Sequence, residues 1–174
     1  MQVEHLFEYH PSRGGANPKH AGISVQLVKF KQGDSEAIHF FTQHVRAKLA
    51  STFPPGAAFS VATVPSSTQG KAHNGFSHMV RNLKGSFPIR NNGNLLQRVK
   101  SIDPLHKGGT RTLDIHRQSL VTASHIIPGE KVVLLDDVTT SGNSLKVAAE
   151  LLRRAGADVV LVLALCKTVN NGHS

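Results

Sequence analysis

With 174 residues, 39% of them hydrophobic, the chain has the length and apolar content of one globular domain that can bury most of its core without disulfides. A formal net charge of +9 makes the surface attract polyanions, so a phosphorylated ligand and nucleic acid are both candidate partners, while the single Cys166 excludes an internal disulfide framework. The longest apolar run, Val159 to Cys166, is too short to span a bilayer, and Met1-Gln2-Val3-Glu4-His5 lacks the parts of a signal peptide, so a cytoplasmic protein with no membrane partner is expected.

Residues Met1 to Ala21 mix aromatic residues, His, Gly and Pro without a clear period and read as a loop or arm. Ile23, Val25 and Leu27 alternate and lead to Val28 and Phe30, which predicts a strand ending at Gln32-Gly33. Asp34 or Ser35 then caps a helix with Ile38, Phe41, Val45 and Leu49 on one face, closed by Pro54-Pro55-Gly56. The next strand is Phe59 to Pro65. It ends in Ser66-Ser67-Thr68-Gln69-Gly70-Lys71, before a helix with Phe76, Met79, Val80 and Leu83 on one face. A small-residue loop, a helix amino terminus and a lysine make an anion cradle, and Ser66, Ser67 and Lys71 are its candidate residues.

From Lys84 to Asn94 the chain reads as loop, and Leu95, Leu96, Val99 and Ile102 mark a short amphipathic piece bearing Arg98 and Lys100. Residues 103–119 hold paired glycines flanked by cations, the composition of a flexible loop able to close over an anion. Leu120 to Ile127 has the composition of a strand. Val132-Val133-Leu134-Leu135 predicts a strand buried on both faces, hence a parallel sheet covered by helices. Asp136 and Asp137 follow, and because adjacent buried acids need partners they are expected where the strand emerges into a solvated crevice.

The turn Thr139-Thr140-Ser141-Gly142-Asn143-Ser144 opens a helix with Leu145, Ala148, Ala149, Leu151 and Leu152 on its apolar face. Its hydroxyls and exposed amides suit a phosphate, Gly142 lets backbone and phosphate approach closely, and the carboxylates suit sugar hydroxyls and a hard cation. Gly156 ends that helix, Asp158 to Leu165 is another buried strand, and Lys167 to Ser174 reads as a frayed tail.

Four apolar residues, two acids and a Thr/Ser-Gly turn before a helix, unbroken from Val132 to Ser144, resemble the fingerprint of the type I phosphoribosyltransferase family. Val64-Pro65 followed by Gly75-Phe76 is similar to the ComF-like branch, whose usual Arg-Gly-Phe-Asn-Gln is here Asn74-Gly75-Phe76-Ser77-His78. The resemblance implies an α/β fold: one domain over 1–174 with a doubly wound, mainly parallel sheet, helices on both faces and a small hood segment at 1–21, where Tyr9 or His10 could face a substrate. It implies Mg2+-dependent transfer of ribose 5-phosphate from phosphoribosyl pyrophosphate to a small nitrogenous acceptor, with release of pyrophosphate. Asp136 and Asp137 would hold the ribose hydroxyls and, indirectly, the Mg2+, while Thr139, Thr140, Ser141, Gly142, Asn143 and Ser144 cradle the 5′-phosphate. Ser66, Ser67 and Lys71 would form the pyrophosphate loop, and 103–119 the flexible loop with Lys107, Arg111 and Arg117. Lys71, Arg111 and His116 are the candidate catalytic residues. Purine-salvage members carry an acid where this chain has Thr140, a departure that argues against a salvage-type purine as the acceptor. The alternative is a non-catalytic ligand-binding module of the same fold that uses its basic surface for nucleic acid; a homodimer is allowed.

Overall fold

The computed structural model describes residues 1–68, 74–102, 112–122 and 125–169. In strand β5 (Lys131–Thr139) the run Val132 to Leu135 is fully buried, and alternation divides it between two cores. Val133 and Leu135 pack with Phe30, Phe41, Met79 and Leu83; Val132 and Leu134 pack with Leu145, Ala148 and Leu152. The first core is built by three helices, α1 (Ile23–Lys31), α2 (Ser35–Thr52) and α3 (Asn74–Leu83), and the second mainly by α5 (Asn143–Arg154).

β5 lies between β6 (Asp158–Thr168) and β2 (Ser60–Thr63), and β6 pairs in turn with β1 (Glu4–Tyr9), giving the order β1-β6-β5-β2. All three pairings are parallel, so the fold is α/β with a parallel sheet covered on both faces. β3 (Leu96–Arg98) and β4 (Leu120–Thr122) form a separate antiparallel ribbon, with α4 (Leu113–Ser119) leading into β4.

Asp34 caps α2 as expected, its carboxylate accepting from Ala37 N at 2.9 Å, and α3 buries Phe76, Met79, Val80 and Leu83. Other expectations need correction. The segment 1–21 contains β1, an edge strand that is half buried and broken by the polar residues Glu4, His5 and Glu8, so it lacks a full apolar alternation. Ile23 to Phe30 is helical rather than extended. Its buried positions are Ser24, Leu27 and Phe30, three residues apart, while Val25 and Val28 remain exposed. The alternation of Ile23, Val25 and Leu27 is a local coincidence that packing on α2 and α3 overrides.

Residues 113–119, expected as the end of a flexible loop, form α4, started by Thr112, whose hydroxyl accepts from Ile115 N. The strand expected from Leu120 to Ile127 is described only over Leu120–Thr122. The tail expected to fray from Lys167 remains paired through Thr168 in β6.

Helix α1 fixes the top of the site. Near its start Ser24 Oγ accepts from His10 N at 2.9 Å, just beyond the end of β1; its last residue, Lys31, reaches Asp137 near the end of β5. Because β6 separates those two strands, α1 bridges the carboxyl edge of the sheet. Gly75 permits this placement: a Cβ there would fall 2.5 Å from the Phe30 carbonyl oxygen and 2.8 Å from Phe30 Cε1.

Candidate functional site

The two acids lie within β5, near its carboxyl end, and they are held rather than solvated, which corrects the expectation of a solvated crevice. Asp136 is 7% exposed. Its Oδ1 accepts from Asp137 N at 2.9 Å, and its Oδ2 accepts from Ser144 Oγ of α5 at 3.2 Å. Asp137 Oδ1 accepts from Val138 N at 2.6 Å, and its Oδ2 faces Lys31 Nζ of α1 at 3.3 Å. Successive strand residues point to opposite faces, so one acid is tied to the α5 side and its neighbour to the α1 side.

These surroundings set the charges. Burial, then the charge of Asp137, pushes the Asp136 carboxyl up to about 8, against the hydrogen bonds from Asp137 N and Ser144 and the charge of Lys31. Burial works to lower the Lys31 ammonium, but the charge and hydrogen bond of Asp137, with the charges of Asp136 and Tyr9, raise it. Near neutral pH the free protein therefore carries Asp136 mainly as the acid and Lys31 as the cation.

Beyond the acids the backbone turns into α5 through Gly142, which is buried and sits at φ 79°, in the left-handed region that glycine adopts without strain. The first N–H groups of a helix have no intrahelical partner, and the helix dipole favours an anion beside them. Thr139 supplies a second feature of the same cradle. It is 5% exposed, its hydroxyl is buried without a hydrogen-bond partner among the described residues, and that oxygen lies 3.9 Å from where a Gly142 Cβ would stand. Thr140 and Ser141 are exposed, with Thr140 Oγ1 bonded to Thr168 Oγ1 at 2.9 Å and Ser141 Oγ accepting from Asn143 N at 3.4 Å.

Beyond the end of β2, Ser66 borders a cavity of about 160 Å3 whose walls include Pro65, Ser77, Asn92 and Asn94, and Ser67, the next residue, does not line it. This loop is anchored by a residue the sequence reading assigned no role. Arg98 is 5% exposed and donates from Nε to Ser66 O at 3.0 Å, from Nη2 to Pro65 O at 3.2 Å and from Nη1 to Ser119 Oγ at 2.6 Å. An arginine in a short amphipathic piece carries no sequence signal for such a clasp; Lys31, in a segment read as a strand, carried none either.

Other predicted residues are dispersed. Lys71, Lys107 and Arg111 lie outside the described residues. His116 is 3% exposed within α4, and Arg117 faces outward, pairing with Asp114 at 3.2 Å and Glu150 at 3.3 Å. His10 lines a cavity of about 420 Å3 between β1 and the start of α1, while Tyr9 packs edge-on against His20.

Among the described residues no group of three or more His, Cys, Asp or Glu side chains could cage a metal, and no helix is long and apolar enough to cross a membrane. Two carboxylates can hold Mg2+ when a substrate's phosphates supply the remaining oxygens, but Asp136 and Asp137 point to opposite faces of β5, one bonded to Ser144 and the other facing Lys31, so they fit only an indirect role through a bound ligand.

Comparison with known proteins isolates the same region. Residues 91–173 match the family model described as phosphoribosyl transferase domain. Among curated relatives, the adenine phosphoribosyltransferase of a Picosynechococcus strain is 35% identical over 80 residues, 45% of this chain and 43% of the relative. That of Methylobacterium nodulans is 38% identical over 76 residues, 44% and 39% respectively, and that of Drosophila pseudoobscura pseudoobscura 35% over 85 residues, 49% and 44%. The chain thus matches less than half the length of these relatives, and the ComF-like branch is not singled out.

Proposed function

We propose that this protein, whose residues 91–173 match the phosphoribosyl transferase domain model, transfers a phosphoribosyl group from phosphoribosyl pyrophosphate to a nitrogenous base. The observation that carries this reading is the coincidence, within one strand-turn-helix, of the acid pair, the left-handed Gly142 and the unpartnered buried hydroxyl of Thr139. Asp136 and Asp137 accept from the ribose hydroxyls, and Thr139 to Ser144 hold the 5′-phosphate at the amino end of α5. Ser66, braced by Arg98, and Ser67 face the diphosphate, with Lys71, Lys107 and Arg111 as the cations that the sequence supplies for the leaving group. Asp136 and Asp137 would hold Mg2+ indirectly, through the bound sugar phosphate, and the ion would supply charge neutralisation for the pyrophosphate.

The reaction breaks the bond from C1′ to the pyrophosphate oxygen and forms a bond from C1′ to an acceptor nitrogen, which gives up its proton. The sugar becomes oxocarbenium-like on the way, so the protein's contribution is chiefly orientation and stabilisation of charge on the departing diphosphate. The matches cover less than half of each relative, which leaves the acceptor to be identified; adenine, named in those relatives, is the first base to try.

The test is incubation with phosphoribosyl pyrophosphate, Mg2+ and a panel of bases, with release of pyrophosphate as the readout. Base-dependent release supports an enzyme. Binding of the ligand by calorimetry without release with any base replaces catalysis with the sensor reading, and absence of binding removes both.

A further inference from the structure

The family match begins at residue 91, and the half of the chain before it contributes the ammonium group that faces Asp137. Lys31 is the last residue of α1, where a cation is favoured by the carboxyl end of the helix dipole, and its side chain is 44% exposed against 15% for that of Asp137. Phe30 beside it is fully buried, meeting Phe41 and Phe76 edge-on with ring centroids 5.5 and 5.1 Å apart. Lys31 is thus the outward-reaching end of a helix whose preceding residue is locked in the core.

Adjacent acids pose a problem for a sugar phosphate. The negative charge of Asp137 suits a hydroxyl and repels the phosphates, and a low-dielectric rim strengthens both effects. A cation fixed on one acid resolves the conflict without an added ion. We propose that Lys31 is a positioning residue of the sugar-phosphate site, holding the Asp137 carboxylate in place and offsetting its charge so that an anionic ligand can approach. This inference rests on the phosphoribosyl reading of the acid pair and adds to it a component from the unmatched half of the chain. The charged and titratable groups gathered there are Asp136 on β5, Lys31 on α1, Cys166 on β6 and Tyr9 on β1.

The experiment compares Lys31→Met and Lys31→Arg with the parent by calorimetric binding of phosphoribosyl pyrophosphate with Mg2+ and, separately, of ribose 5-phosphate. Lys31→Met should weaken both ligands by about tenfold, a loss of about 1.4 kcal/mol, and Lys31→Arg should recover most of it. Thermal unfolding should be nearly unchanged in both variants, because the lysine is substantially exposed. Parental affinity in Lys31→Met overturns the inference while leaving the phosphoribosyl reading standing, as does equal weakening in Lys31→Arg. A parent that binds neither ligand overturns the reading and the inference together.

Discussion

Asp136 and Asp137 are neighbours in sequence, yet the first is bonded to Ser144 of α5 and the second faces Lys31 of α1, so the pair is gripped from both sides of the sheet. Two acids held in this way are fixed acceptors whose orientation is set before any ligand arrives. Replacing both by Asn preserves volume, removes the charge of Asp137 and prevents either side chain from becoming a carboxylate acceptor when the ligand binds. The double variant should lose at least about tenfold in affinity for phosphoribosyl pyrophosphate while remaining folded by circular dichroism. Parental affinity in calorimetry would refute the ribose assignment.

The acidity of Asp136 gives a pH dependence with a definite sign. Its carboxyl is raised from 3.8 to about 8 in the folded chain, so between those values the folded state binds a proton that the unfolded state has released. Stability from this group is therefore complete below about pH 4, declines as pH rises, and is lost above about pH 8. Urea unfolding of the free protein from pH 5 to 9 should show the decline, and Asp136→Asn should flatten it. A parent and variant with parallel pH profiles would mean that Asp136 titrates normally.

Thr139 separates stability from binding. Its buried hydroxyl has no partner among the described residues, so Thr139→Val should leave the free protein as stable or slightly more so. Loss of the donor should cost about 1 kcal/mol of phosphate binding, or roughly fivefold in affinity for ribose 5-phosphate. If the variant is clearly destabilised and binds normally, the hydroxyl serves the fold instead.

Gly142 has space for a side chain, with Lys146, Thr139 and Val3 atoms no closer than 3.9 Å to the position of a Cβ, but its φ of 79° penalises any other residue. Gly142→Ala should cost about 1–2 kcal/mol of stability through backbone strain, and Gly142→Val more, with loss of phosphate binding. Chemical denaturation measures the first and calorimetry the second. An alanine variant as stable as the parent would show that the turn does not require this conformation.

Gly75 reverses a usual rule. Glycine to alanine within a helix ordinarily gains up to about 1 kcal/mol, but here the new Cβ would meet the Phe30 carbonyl oxygen at 2.5 Å. Separation of α1 from α3 should therefore destabilise Gly75→Ala by about 1–3 kcal/mol in denaturant unfolding. A stabilised variant would mean that α1 is free to shift.

The strand, acid pair and turn proposed to hold the sugar phosphate were legible because their signals are local: a buried run, paired acids and a Gly-containing turn before a helix are contiguous from Val132 to Ser144. The clamps on it were not. Lys31 reaches Asp137 across 106 positions of sequence, from a helix whose Ile23, Val25 and Leu27 imitate a strand. Arg98 lies in a three-residue strand, and its role exists only once Pro65, Ser66 and Ser119 have been brought around it. β1 was hidden because an edge strand needs only half of its surface to be apolar.

The grip of Arg98 ties the segment after β2 to the β3–β4 ribbon as firmly as a rivet ties two plates. Pro65 and Ser66 cannot shift outward alone to admit a bulkier anion without drawing Ser119, and with it the end of α4, along. Selection for new ligands at this mouth would therefore meet resistance from residues that never touch the ligand, and changes that loosen the guanidinium would have to come first.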